Sequence, residues 1–96
     1  MNREEIMATL LAHESETEAF GIKSLRLFGS AARGEAGPQS DADFLVEFDG
    51  PVTYDRYSEF KFYLEDLLGV SVDLVTVKAL KPRMKPIVER EAIRVA

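Results

Sequence analysis

Apolar residues recur at helical spacing near the amino terminus, where Ile6, Met7, Leu10 and Leu11 gather on one side of a ~3.6-residue period. This predicts an amphipathic helix over residues 3–20, stopped by Gly21. Residues 22–28 carry Leu25, Leu27 and Phe28 and read as a short strand that delivers Gly29-Ser30 at its carboxyl end. Residues 30–33 open a short helical turn, and Gly34, Gly37, Pro38, Gln39 and Ser40 form a loop. The apolar run over residues 43–48 is a second strand, closed by Asp49-Gly50-Pro51. Thr53 suits an N-cap, and Tyr57, Phe60, Leu64, Leu67 and Leu68 then share one helical face until Gly69 ends the helix. Residues 70–77 alternate and are rich in β-branched side chains, which predicts a third strand with Asp73 near its start. Pro82 and Pro86 flank a last short helix reaching about Glu91, and residues 93–95 are a short edge strand.

Gly29-Ser30 ends the first strand and Asp41-Ala42-Asp43 begins the second, so these groups meet when the two strands are antiparallel neighbours. Asp73 reaches the same edge when the third strand runs parallel to the second, with the helix over residues 53–68 as the crossover. The expectation is an α+β fold: a small mixed sheet in strand order 1-2-3, with helices packed mainly on one face, in one domain spanning residues 1–96. A chain of this length buries roughly 60–65% of its unfolded surface, which leaves little for accessory modules.

The net charge of -5 argues against a nonspecific grip on long nucleic acid, which is normally held by a basic field. A small nucleotide whose charge is offset by Mg2+ fits better. With no cysteine there is neither a disulfide framework nor a thiolate zinc site. The first residues lack an apolar signal core, and no apolar run approaches the ~20 residues of a membrane span, so the expected location is cytoplasmic.

Asp41 and Asp43 lie two apart at the start of a strand, so the pleat turns both side chains to one face. Two carboxylates on one face repel unless a cation lies between them. With Asp73 they could bind two Mg2+ ions, one holding a triphosphate and the other activating an acceptor hydroxyl. Gly29 permits close backbone approach, Ser30 donates its hydroxyl and N–H to phosphates, and Arg33 neutralises charge on a leaving pyrophosphate. Ser40, just before the carboxylates, joins these as a nucleotide-binding candidate. Asp-x-Asp alone is common turn chemistry and Gly-Ser is weaker still. Their fixed order, with ten residues between Ser30 and Asp41 and a later in-strand Asp73, is what points to catalysis.

The same residues resemble the minimal nucleotidyltransferases of the DNA polymerase beta superfamily, over almost the whole chain. The family pattern of Gly-Ser, ten residues and Asp-x-Asp is met by Gly29-Ser30 and Asp41-Ala42-Asp43. Val72-Asp73-Leu74-Val75 looks like its third-carboxylate strand, and residues 79–82 with 87–95 resemble its usual ending. Ala42 and Phe44 stand where larger aliphatic and Leu residues are more usual, which changes packing and no ligand. The resemblance implies the nucleotidyltransferase fold, ATP as substrate and Mg2+ as cofactor, with Asp41, Asp43 and Asp73 as catalytic metal ligands. It also implies a helical HEPN-domain toxin as partner, with this chain as the antitoxin that transfers AMP to a toxin tyrosine. Two rival readings are neutralisation of the toxin by contact alone, and transfer to a small molecule such as an aminoglycoside.

Three further features fall outside that chemistry. Phe62 lies on the polar face of its helix beside Asp55, Glu59 and Asp66, which makes it a candidate partner contact as well as an ordinary exposed aromatic. Lys78, Lys81, Arg83 and Lys85 form a basic stretch beyond the third strand, placed to meet a triphosphate, an acidic partner or solvent. His13, near the apolar side of the first helix, is assigned no catalytic role.

Overall fold

The computed structural model describes residues 2–34 and 41–95. Helix α1 (Arg3–Ala12) opens on a capping box, with the Asn2 side chain accepting from the Glu5 N–H at 2.8 Å and the Glu5 carboxylate accepting from the Asn2 N–H at 3.3 Å. The predicted single helix over residues 3–20 is in fact two, because the chain breaks at His13 before α2 (Glu14–Ala19). The physical reason lies in residues 13–18, which carry no apolar side chain to press against a core. His13 bonds the Thr9 carbonyl and Thr17 that of Glu14, both at 2.8 Å, so local polar contacts compete with a continuous helix. Ile6 and Leu10 are buried as expected, whereas Leu11 is 67% exposed.

Strand β1 (Ile22–Phe28) leads into α3 (Gly29–Ala32), and β2 (Ala42–Phe48) follows. Helix α4 (Tyr54–Leu68) is capped by the Thr53 side chain and ends where Gly69 turns left-handed, at φ 70°. Strand β3 (Val72–Thr76), two short 3-10 turns, α5 (Lys85–Glu91) and β4 (Ile93–Arg94) complete the order. The sheet runs β3-β2-β1-β4, with β1 antiparallel to β2 and β4, and β2 parallel to β3. The expected order of the first three strands is therefore present, extended by β4 on the outer side of β1.

One sheet face carries Leu25, Leu27, Phe44, Val46, Val72 and Leu74 into a common core with Ile6, Leu10, Phe60 and Leu64 from α1 and α4. Phe20, Phe48 and Phe60 extend it, with ring centroids 5.3 Å apart for Phe20–Phe60 and 6.0 Å for Phe48–Phe60. Tyr63 meets Phe20 in a tilted contact with ring centroids 5.0 Å apart and donates its hydroxyl to Glu16, and burial together with that carboxylate pushes its phenol pKa up.

Arg56 ties the lower end of the sheet together. Its guanidinium donates to the carbonyls of Pro51, Phe20, Gly21 and Asp49 at 2.5–3.3 Å and lies 5.1 Å from the Phe48 ring centroid. Gly21 has the left-handed φ of 76° that favours glycine, and a Cβ there would stand 2.5 Å from an Arg56 nitrogen, so the guanidinium would have to shift. Among the described residues no helix is long and apolar enough to cross a membrane.

Candidate active site

The register of the sheet fixes the upper edge. Phe28, the last residue of β1, lies opposite Asp43, and Asp43 lies opposite Asp73 across the parallel β2–β3 pair. Register partners on neighbouring strands turn their side chains to the same face, so Asp43 and Asp73 face the same way. This is the face away from the main core. Asp41 stands just before β2 and is exposed, as is Asp73, while Asp43 is half-buried.

Gly29 is held at the same place for two reasons. Its φ of 73° suits glycine, and a Cβ there would stand 2.2 Å from Asp43 Oδ2 and 3.1 Å from Cγ. The Asp43 carboxylate therefore sits directly over the glycine Cα, and the turn and the Asp-x-Asp segment are in contact. Ser30 follows, half-buried, in α3. That helix is a single turn of four residues, too short to build the macrodipole of a long helix. Arg33, at its end, pairs through Nη1 with Glu91 Oε2 at 3.0 Å. Ser40 lies outside the described residues.

The electrostatics mark Asp43 as the strained member. Burial pushes its carboxyl pKa above the usual 3.8, Asp73 and then Asp41 push it further, and Arg33 opposes them. Among the described residues no group of three or more His, Cys, Asp or Glu side chains is closed up ready to hold a metal ion. The donor set itself is carboxylate oxygen with solvent beside it, which suits a hard cation that keeps several waters. The residues present thus fit Mg2+ by type and by mutual repulsion.

Other expected features lie elsewhere. Phe62 is 65% exposed, and Lys78, Lys81, Arg83 and Lys85 are all exposed beyond β3. A cavity lined by Val46, Phe48, Val52, Val77 and Lys78 opens at the opposite end of β2 and β3 from the carboxylates. Sequence reading missed Glu91 as the partner of Arg33, 58 residues away, and the α4 side chains that bond the outer edge of β3. The helical period of α4 places Tyr57 toward the sheet, but nothing local in the sequence pairs it with Leu74.

Residues 12–95 match the family model of the nucleotidyltransferase domain. The chain is 43% identical over 93 residues to the protein adenylyltransferase MntA of Thermococcus cleftensis, covering 96% of this chain and 94% of that relative. A solved structure described as a candidate minimal nucleotidyltransferase superposes with a TM-score of 0.84 at 43% identity, over 97% of this chain and 95% of the other. Two toxin–antitoxin structures share the fold at lower identity. One, with AMP-PNP, has a TM-score of 0.72 at 21% identity over 100% of this chain and 73% of the other. The second, a tri-AMPylated Shewanella oneidensis HEPN toxin with its MNT antitoxin, has a TM-score of 0.62 at 17% identity over 91% and 71%. With a family model matched over residues 12–95 and a relative 43% identical along nearly all of both chains, this chain belongs to the nucleotidyltransferase domain family, as a minimal member and a nucleotidyltransferase enzyme.

Proposed function

We propose that this chain transfers AMP from ATP to a tyrosine hydroxyl of a HEPN-domain toxin and so acts as its antitoxin, in the cytoplasm and with Mg2+. The observation that carries the reading is the seat of the Asp43 carboxylate over the Gly29 Cα, with Asp73 in register beside it. It joins the Gly29-Ser30 turn to a set of repelling carboxylates. Support from relatives is the protein adenylyltransferase name of the Thermococcus protein, the AMP-PNP in one toxin–antitoxin complex and the AMPylated HEPN toxin in another.

In this reading Asp41, Asp43 and Asp73 hold the metal, and Gly29, Ser30, Arg33 and Ser40 receive the nucleotide. Mg2+ bound there would neutralise triphosphate charge and make the acceptor hydroxyl more acidic. The Ser30 hydroxyl and nearby N–H groups orient the phosphates against the α3 turn. The acceptor oxygen bonds to the α-phosphorus as the bond from that phosphorus to its bridging oxygen breaks, and pyrophosphate leaves. The acceptor proton passes to Asp73. Arg33 meets the pyrophosphate by leaving Glu91, and that partly exposed ion pair costs ~1 kcal/mol or less to break.

The test uses ATP labelled on either its α- or its γ-phosphate, with Mg2+ and a HEPN-domain protein as acceptor. Adenylyl transfer puts the α-label on a tyrosine of the partner and leaves the γ-label in pyrophosphate. Transfer of the γ-label, or of no label, overturns the proposal.

A further inference from the structure

Strand β3 is the outer strand of the sheet beyond β2. Ala42 lies opposite Val72, and the Ala42 N–H donates to the Ser71 carbonyl at 2.9 Å. In a parallel ladder alternate residues turn their amide and carbonyl to the partner strand. Ser71, Asp73 and Val75 therefore face β2, while Val72 and Leu74 face the outer edge. Helix α4 occupies both of those outward positions. The Val72 N–H donates to Glu65 Oε2 at 3.0 Å, and the Tyr57 hydroxyl donates to the Leu74 carbonyl at 2.5 Å. Tyr57 and Glu65 lie about two turns apart on the same side of α4. The residue between the two pinned ones is Asp73.

We propose that Tyr57 and Glu65 are positioning residues that fix Asp73 by clamping the outer edge of β3 to α4. The proposal rests on the reading of Asp73 as a metal ligand. A five-residue outer strand with one neighbouring strand is free to fray or twist at its open side, and a carboxylate on it moves with it. The clamp removes that freedom on both sides of Asp73. Val72 and Leu74 send their side chains into the core, 4% and 3% exposed, so packing sets the depth of the strand. The two α4 bonds set its position along the outer edge. Neither clamp residue touches the substrate; each acts through main-chain atoms.

The test measures Mn2+ affinity by electron paramagnetic resonance on the full chain, together with Val72 amide exchange and thermal stability. Tyr57→Phe removes one hydroxyl and keeps the ring, Glu65→Met removes the acceptor, and Glu65→Gln keeps one. Tyr57→Phe and Glu65→Met should each weaken Mn2+ binding on the order of tenfold, with Glu65→Gln near the parent and Val72 exchange faster in Glu65→Met. Asp73→Asn should weaken binding at least as much. If Asp73→Asn loses Mn2+ while the Tyr57 and Glu65 variants bind it as the parent does, the clamp fails and the ligand reading stands. If Asp73→Asn also binds as the parent does, the ligand reading fails and takes the clamp with it. If Glu65→Met does not fold, Tyr57→Phe decides.

Discussion

At Gly29 two constraints coincide, a left-handed φ of 73° and a carboxylate oxygen 2.2 Å from where a Cβ would stand. Gly29→Ala should cost about 1–2 kcal/mol from the backbone alone, and it should abolish turnover, because Asp43 must move to admit the methyl. Chemical denaturation alongside transfer assays checks both; a variant with parental activity contradicts the account. Ser30 differs in being a proposed ligand contact, so Ser30→Ala should leave the fold intact and weaken nucleotide or transition-state binding by about 1.5–3 kcal/mol. Unchanged ATP affinity and turnover there would mean that the phosphate turn is misassigned. Asp43 carries a pH signature. Its folded pKa is raised, so its protonated form favours the fold, and that contribution is lost as pH rises from the usual 3.8 through the raised value. In chelator, Asp43→Asn should therefore melt above the parent at pH 7, with the difference shrinking on acidification. A difference independent of pH would contradict this.

Among the elements, α4 packs its buried stripe into the core, and at its amino-terminal end Arg56 bonds four carbonyls from two separate turns. Arg56→Ala should lower stability by ~2–3 kcal/mol, which for a domain of this size is roughly 10–20 °C in Tm. A loss of under about 5 °C by calorimetry would show that water replaces those bonds readily. The same helix illustrates what a sequence reveals and what it withholds. Its cap at Thr53, its buried stripe of Phe60, Leu64 and Leu68, and its stop at Gly69 are local signals and were legible. So were the β1 boundaries and the antiparallel β1–β2 and parallel β2–β3 pairings, since Gly29, Asp43 and Asp73 had to meet. The break at His13 was hidden because the residues beside it still favour helix one by one. The bonds of Tyr57 to Leu74, Glu65 to Val72 and Arg33 to Glu91 depend on tertiary approach and leave no spacing to read. The short edge strand over residues 93–95 was legible and is present as β4, but its place beside Arg26 and Leu27 on the outer side of β1 left no spacing to read.

Over the whole molecule the proposed metal and nucleotide ligands gather at one edge of a thin sheet, while the main core lies on one face and Arg56 closes the opposite end. The site can then be altered with little consequence for folding. Asp41→Asn/Asp43→Asn preserves shape, removes mutual repulsion and replaces two carboxylates with amides that hold Mg2+ poorly. The most direct measurement combines this double variant with the proposed HEPN-domain partner, ATP and Mg2+. Complex formation is followed by size-exclusion chromatography, partner modification by intact mass and toxin activity by RNA cleavage. The account predicts an intact complex, no added AMP and restored RNA cleavage. A double variant that still silences the toxin at equal concentration would contradict it and leave contact inhibition as the mechanism.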